Sequence, residues 1–247
     1  MPASATGRIA PGSRLAIVRP GEEFVSAEES LGGHESCRGL TAARRRQEGA
    51  LAARLWQTGE LARAVALYSS GLRRAIETAE ILAKALGGLE IWQTCSLCER
   101  HVGGADAMTW SDGEQLSGRA VPGRDDHRQR SPGAEAWAGF LEWPEAALYE
   151  VMAAQHGGRV AAAGHGGPIG ASVARLLGLP GDREGFRGYA DNCSLTGWEW
   201  TGRRWWLVGC NDGAHLGASK WAPTAGLRLP PPGWMGEEAG PATPQQA

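Results

Sequence analysis

Short apolar runs alternate along the chain with longer segments of helical periodicity. Four apolar runs predict buried strands, at residues 15–18, 64–68, 89–92 and 159–163. Helical patterns cover residues 41–58, about 73–86, about 134–155 and about 169–177. Thr41 is a suitable N-cap for the first helix, and Pro144 should kink or split the third. Strands that alternate with helices predict an α/β domain with a mainly parallel sheet.

The remaining segments have different patterns. Residues 103–133 are rich in Gly, Asp, Arg and Pro, and we interpret them as a lid-like insertion with little core of its own. Tryptophans on both sides of residues 201–204 predict a β-hairpin. We expect one domain over residues 14–221, between an N-terminal tail (1–13) and a Pro/Gly-rich C-terminal tail (222–247).

Composition narrows the function classes. The 247 residues can build one substantial core, and 42% hydrophobic with 21% charged residues excludes a wholly disordered chain. A net charge of −2 attracts neither nucleic acid nor an anionic membrane surface, so neither is expected as a partner. No apolar run approaches the roughly 20 residues of a membrane-spanning helix, and the N-terminus lacks the apolar middle of a signal peptide. We therefore expect a cytoplasmic protein.

Only Lys84 and Lys220 of the 25 basic residues are lysines, so a cationic site would use guanidinium groups, which suit flat oxyanions. The five cysteines favour reduced thiols over a disulfide framework. Cys95 and Cys98 form a C-x-x-C without a second pair, and His101 three residues later is insufficient for a zinc site. We expect no metal and no cofactor.

Three predicted strands end in polar turns that contain glycine. Their sequences are RPGE at 19–22, SSGLRR at 69–74 and GHG at 164–166. The carboxyl ends of parallel strands share one edge of the sheet, where ligands bind in such folds. At that edge Arg19, Arg74 and His165 would form an oxyanion pocket that contains a titratable group.

At these residues the sequence resembles the histidine phosphatase superfamily, which has the phosphoglycerate-mutase-like fold, over roughly residues 14–216. Segments that match the family's signatures occur in the family's order: LAIVRPGE at 15–22, SSGLRRAIETA at 69–79, LCERHVG at 97–103, HGG at 165–167, and NCSLT at 192–196 with NDGAHL at 211–216. The resemblance implies a three-layer α/β sandwich with a mainly parallel central sheet.

The resemblance also implies roles for individual residues. Arg19 and Arg74 would clamp a phosphoryl group, Glu99 would be the general acid and base, and His165 would be the family's second histidine. The family's first histidine attacks phosphorus, and Pro20 occupies its position here. Proline has no nucleophilic side chain, so the phosphohistidine mechanism is excluded through position 20. Further candidate substrate-binding residues are Pro20, Gly21, Ser26, His34, His101 and Gly166.

Three functions stay open on the sequence alone. The leading hypothesis is a repurposed enzyme, in which Glu99 and His165 perform acid/base chemistry on a small phosphorylated or carboxylated metabolite. The second is a catalytically inactive binding or regulatory protein. The third is a residual phosphomonoesterase that uses His165 or an activated water. A small anionic metabolite is the expected partner in each case, and a homodimer is expected only by analogy with the family.

Overall fold

A six-stranded sheet forms the centre of the molecule. The computed structural model describes residues 8–21, 30–118, 127–178 and 190–220. The strands are β1 (Ser13–Val18), β2 (Ala64–Ser69), β3 (Ile91–Gln93), β4 (Arg159–Ala163), β5 (Leu195–Trp200) and β6 (Trp205–Asp212), in the order β3-β2-β4-β1-β5-β6. The pairings β3–β2, β2–β4 and β4–β1 are parallel, whereas β5 runs antiparallel to both β1 and β6. The sheet is therefore mainly parallel, and the predicted β5–β6 hairpin is confirmed.

Five α-helices accompany the sheet in the described parts of the chain. They are α1 (Ala42–Thr58), α2 (Arg73–Ala85), α3 (Trp110–Ser117), α4 (Trp137–Ala154) and α5 (Gly166–Leu176), with shorter 3-10 helices at Cys95–Leu97, Gly103–Ala105 and Ala214–Lys220. Thr41 caps α1 as predicted, because its hydroxyl accepts a hydrogen bond from the Arg44 N–H. Among these described helices, none is both long enough and apolar enough to cross a membrane.

Helices cover both faces of the sheet because neighbouring side chains of a strand point to opposite faces. Val18 and Leu67 belong to a cluster on one face with residues of α1 and α2, including Leu51 and Leu82. The opposite face contains Leu15, Ile17, Ala66, Val160 and Ala162, together with Met152 of α4 and Val173 of α5. The predicted three-layer α/β sandwich with a mainly parallel central sheet is confirmed.

Two local predictions were wrong. Helix α5 begins at Gly166 rather than near residue 169, because Pro168 lies in its first turn, where a missing N–H costs no hydrogen bond. Helix α4 is continuous through Pro144; Met152 packs in the core against the sheet, and Phe140 packs with Ala171 of α5. The insertion at residues 103–133 stays a predicted lid; in its described part Thr109 caps α3 by accepting from the Asp112 N–H.

The division into a domain and two tails stays a prediction, because residues 1–7 and 221–247 lie outside the described parts of the chain.

Two residues of β2 provide a test of how much core packing on the sheet stabilises the protein. Leu67 is fully buried, whereas Val65 is 55% exposed on the same strand. We expect Leu67→Ala to lower the free energy of unfolding by about 2–5 kcal/mol, because it removes methyl groups from a packed core. The control Val65→Ala should lower it by less than about 1 kcal/mol. Urea unfolding followed by circular dichroism measures both, and equal losses would contradict the packing described here.

Candidate active site

The candidate residues converge at the carboxyl edge of three adjacent strands. The Gly164 N–H donates to the Val18 carbonyl at 3.0 Å, and the Ser70 N–H donates to the Ala163 carbonyl at 3.0 Å. These bonds extend the β1–β4–β2 pairing beyond the strand ends. Arg19, Ser70 and His165 therefore follow neighbouring strands at one edge, as the strand-end pattern predicted.

His165 is the buried centre of the site, with 2% of its surface exposed. Its Nδ1 accepts from Arg74 Nε at 3.2 Å, and its Nε2 lies 2.6 Å from the Ser70 hydroxyl oxygen. A guanidinium only donates, so Nδ1 must carry the lone pair; in the neutral ring Nε2 then carries the proton and donates to Ser70. Burial, together with the charges of Arg74 and Arg19, holds the pKa of His165 well below its usual value. The imidazole is therefore neutral at pH 7.

Two guanidinium groups act on this neutral ring. Arg74 lies in the first turn of α2, is 7% exposed, and also contacts the Cys37 sulfur at 3.4 Å through Nη1. Arg19 is half-buried and donates to the Ala190 carbonyl. Its guanidinium passes close to Gly166, where a Cβ atom would lie 3.2 Å from Arg19 Cζ, so a larger side chain would crowd it. The arrangement favours an oxyanion, because guanidinium groups form charge-assisted hydrogen bonds with carboxylates and phosphates.

Glu99 reaches the same edge from the loop after β3. Its Oε2 accepts from the Gly167 N–H and its Oε1 from the Arg100 N–H, both at 3.0 Å. Gly167 lies in the first turn of α5, where free N–H groups and the helix dipole attract negative charge. A Cβ atom on Gly167 would collide with Glu99 Oε1 and the Phe140 ring, so glycine is needed at this position. The Glu99 carboxylate thus lies beside Gly167, two residues after His165.

Sequence reasoning missed Glu48, which holds the turn after β1. It is fully buried, and its Oε1 accepts from the Gly21 N–H at 2.8 Å. Burial raises the pKa of Glu48 to about 7, and hydrogen bonds from Cys193 and Gly21 oppose this only in part. A signal was present, because Glu48, Leu51 and Leu55 recur at the spacing of one helix face and all three are buried.

The predicted rim residues His34 and His101 contact each other. Their rings stack with centroids 4.3 Å apart and planes at 15°, and both side chains are exposed. Cys95 Sγ lies 3.8 Å from His101 Nε2. Burial and the nearby His101 and Arg74 lower the pKa of His34, whereas Asp106 acts to raise it. The rim therefore belongs to the same electrostatic neighbourhood as Arg74 and His165.

Asp106 is a second residue that the sequence did not indicate. Its carboxylate accepts from the N–H groups of Gly33 and Glu35, at 2.9 and 2.8 Å, and from the Ser36 hydroxyl. Burial acts to raise the pKa of Asp106, but these hydrogen bonds outweigh it and the pKa is lowered. Asp106 therefore fixes the backbone on both sides of His34.

The other candidate substrate contacts have different outcomes. Pro20 and Gly21 are buried directly after β1, and Gly166 is half-buried beside Arg19. Ser26 lies outside the described residues. Among the parts of the chain that the structure describes, a group of three possible metal donors consists of His34, Cys95 and His101.

Comparison with known proteins identifies the family. A model of the histidine phosphatase superfamily (branch 1) matches residues 15–213. The chain belongs to this superfamily. A probable phosphoglycerate mutase, GpmB, of Klebsiella pneumoniae is 30% identical over 217 residues, covering 82% of this chain and 94% of the relative. A metal-independent phosphoserine phosphatase of Arabidopsis thaliana is 27% identical over 207 residues, covering 83% of each chain.

Solved structures agree on the fold. The phosphoglycerate mutase from Bacillus anthracis strain Sterne superimposes with a TM-score of 0.70 at 19% identity, covering 84% of this chain and 96% of that one. A likeness at this identity shows the architecture alone. The family resemblance and the phosphoglycerate-mutase-like fold predicted from the motifs are thus confirmed.

The buried Glu48 generates a prediction about pH and stability. Its pKa of about 7, against an ordinary 4.5, means that the folded protein keeps a proton which the unfolded chain loses. Stability contributed by this group is therefore complete below pH 4.5 and falls as the pH rises towards 7, by about 3 kcal/mol in all. Glu48→Gln should remove this fall while still accepting from the Gly21 N–H.

The measurement is urea unfolding at pH 5 and pH 8 for wild type and Glu48→Gln. The control is Glu80→Gln, which changes an exposed carboxylate on α2. We compare the free energy of unfolding of Glu48→Gln with that of wild type at each pH. From pH 5 to pH 8, we expect this difference to shift in favour of the variant by up to about 3 kcal/mol. An identical pH dependence in the two proteins would show that Glu48 is ionised in the fold throughout this range.

Proposed function

We propose that this family member binds a small phosphorylated or carboxylated metabolite between Arg19 and Arg74, and acts on it without a phosphohistidine. The observation that carries the proposal is Pro20, which directly follows Arg19 at the end of β1, where the family resemblance expects the nucleophilic histidine. A proline ring offers phosphorus no lone pair. Loss of a covalent nucleophile can cost about 10⁶ in turnover, as in serine hydrolases.

The hydrogen bonds of His165 argue against that residue as a substitute nucleophile. Its one unprotonated nitrogen, Nδ1, accepts from the Arg74 guanidinium, and the other ring nitrogen contacts the Ser70 hydroxyl. A nucleophile must direct a free lone pair at the reacting atom. We therefore place the residual phosphomonoesterase that uses His165 behind the other two functions.

Acid/base chemistry is the reaction class that the remaining groups support. Arg19 and Arg74 would hold the oxyanion, and the neutral His165 ring, whose Nε2–H donates to Ser70, would add no charge beside it. Glu99 is the carboxyl group available for proton transfer, because it extends from a loop to the first turn of α5. Elimination, isomerisation, cyclisation and hydrolysis without a covalent intermediate all need only such a positioned acid or base.

An inactive binding module is the second candidate, and one observation favours it. Both ring nitrogens of His165 and both oxygens of Glu99 already have hydrogen-bond partners within the protein. A pocket whose titratable groups are engaged in this way can recognise an anion without moving a proton.

Anion binding tests what both candidates share. We expect Arg74→Ala to weaken the binding of inorganic phosphate about tenfold to a hundredfold, because one charged hydrogen-bond donor is worth about 1.5–3 kcal/mol. Isothermal titration calorimetry measures the dissociation constant. The control is Arg73→Ala, since the Arg73 side chain is 67% exposed and pairs with Glu77. If Arg74→Ala binds phosphate as tightly as wild type, the anion pocket is not at this place.

Hydrolysis of p-nitrophenyl phosphate tests the role of position 20. We expect negligible turnover by wild type and weak turnover by Pro20→His, because the clamp formed by Arg19 and Arg74 stays in place. Pro20→Ala is the matched control, since it removes the proline without adding a nucleophile. Robust wild-type turnover that disappears in His165→Ala would instead establish the residual phosphatase.

Product analysis separates the enzyme from the binding module. Wild type and an Arg19→Ala/Glu99→Gln/His165→Ala triple variant are incubated with a panel of phosphorylated and carboxylated metabolites and examined by mass spectrometry. A product formed only by wild type supports the acid/base enzyme. Phosphate binding by wild type without any product supports the binding module.

A further inference from the structure

A cluster of nitrogen and sulfur donors lies at the rim, outside the pocket formed by Arg19, Arg74 and His165. His34 comes from one segment, and Cys95 and His101 from the connection after β3, yet one donor atom of each lies within 4.8 Å of the other two. We propose that these three residues bind a divalent cation of the zinc class. This proposal does not depend on the reaction proposed above.

The donor set matches the chemistry of zinc. Imidazole nitrogen and thiolate sulfur are the donors that Zn²⁺ combines in proteins, and hard ions such as Mg²⁺ prefer oxygen. Tetrahedral geometry with zinc bonds of about 2.0–2.3 Å places a sulfur and a nitrogen about 3.5 Å apart. Cys95 Sγ and His101 Nε2 are 3.8 Å apart, so these two donors need a shift of only a few tenths of an ångström. The His34 ring stacks on His101 and would turn about its side-chain torsions to direct a nitrogen at the same ion.

The backbone of each donor is held by the protein itself. Asp106 accepts from the residues before and after His34. Cys95 opens a 3-10 helix whose N-cap, Thr94, accepts from the Ser96 N–H, and the His101 carbonyl accepts from the Glu135 N–H at 2.9 Å. A cation would therefore order little beyond side-chain torsions, which lowers the entropy cost of binding.

Cys98 supports Cys95 but is not one of the donors. Its sulfur lies 3.0 Å from Cys95 Sγ, yet the residue is fully buried and the sulfur also interacts with Ser70 and the Gly71 N–H. The three proposed donors are exposed. The site would thus have three protein ligands and a fourth position open to water or to an exchangeable anion, which is the pattern of accessible zinc sites.

Zinc binding to the reduced full-length chain tests the proposal. We expect one equivalent per chain by competition with a chromophoric chelator, and Co²⁺ should give the visible absorption of a tetrahedral thiolate site. Loss of a residue that only supports a metal ligand typically weakens metal affinity about 10–100-fold. His34→Ala and Cys95→Ser each remove a proposed ligand, so each should weaken zinc affinity at least that much. The matched controls His127→Ala and Cys210→Ser change other exposed side chains and should bind as wild type does.

The substitutions are on exposed side chains, and circular dichroism checks that each variant is folded. The proposal would be overturned if the protein showed no saturable zinc binding with a dissociation constant below about 100 µM, which corresponds to a binding free energy of about 5.5 kcal/mol. It would also be overturned if Cys98→Ser abolished binding while His34→Ala left it unchanged, because the dithiol pair alone would then be the metal site. Retained binding in Cys98→Ser, with loss in His34→Ala, supports the three-ligand site.

Discussion

The hydrogen bond from Arg74 Nε to His165 Nδ1 sets the chemical character of the candidate site. It joins the first turn of α2 to the end of β4, so it exists only because β2 and β4 are parallel neighbours. A guanidinium donor leaves Nδ1 without a proton and sets the tautomer of a ring that burial already keeps neutral. The candidate site therefore combines guanidinium charge with a neutral imidazole, a combination that favours an anion over a second cation.

Close packing at the start of α5 occurs at the same carboxyl edge of the sheet. The Arg19 guanidinium passes over Gly166, and the Glu99 carboxylate lies against Gly167. Two consecutive positions without Cβ atoms let one cation and one anion approach the first turn of a single helix. Because the Gly167 N–H already donates to Glu99, this helix end holds an internal carboxylate, and the oxyanion of a ligand would be left to the arginines.

Much of the fold and part of the site could be predicted from the sequence, for a physical reason. Arg19, Ser70 and His165 immediately follow apolar strands, and parallel pairing brings the ends of such strands together without further information. Contacts made by side chains of distant segments follow no such rule. The approach of His34 to Cys95 and His101 spans more than sixty residues and depends on Asp106, whose role was visible only once the loops were placed.

Glu48 illustrates why the turn around Pro20 was the hardest part to predict. The spacing of Glu48 with Leu51 and Leu55 indicated a buried helix face, but nothing in the sequence connected that face with the Gly21 N–H after β1. In the fold its buried oxygen accepts from the Gly21 N–H, and its raised pKa shows that the protein bears a cost for keeping it there. The turn is thus anchored to α1 through Glu48, although position 20 contributes no reactive group. A buried turn beside Arg19 constrains the backbone from which that side chain extends, and this constraint does not require a nucleophile at position 20.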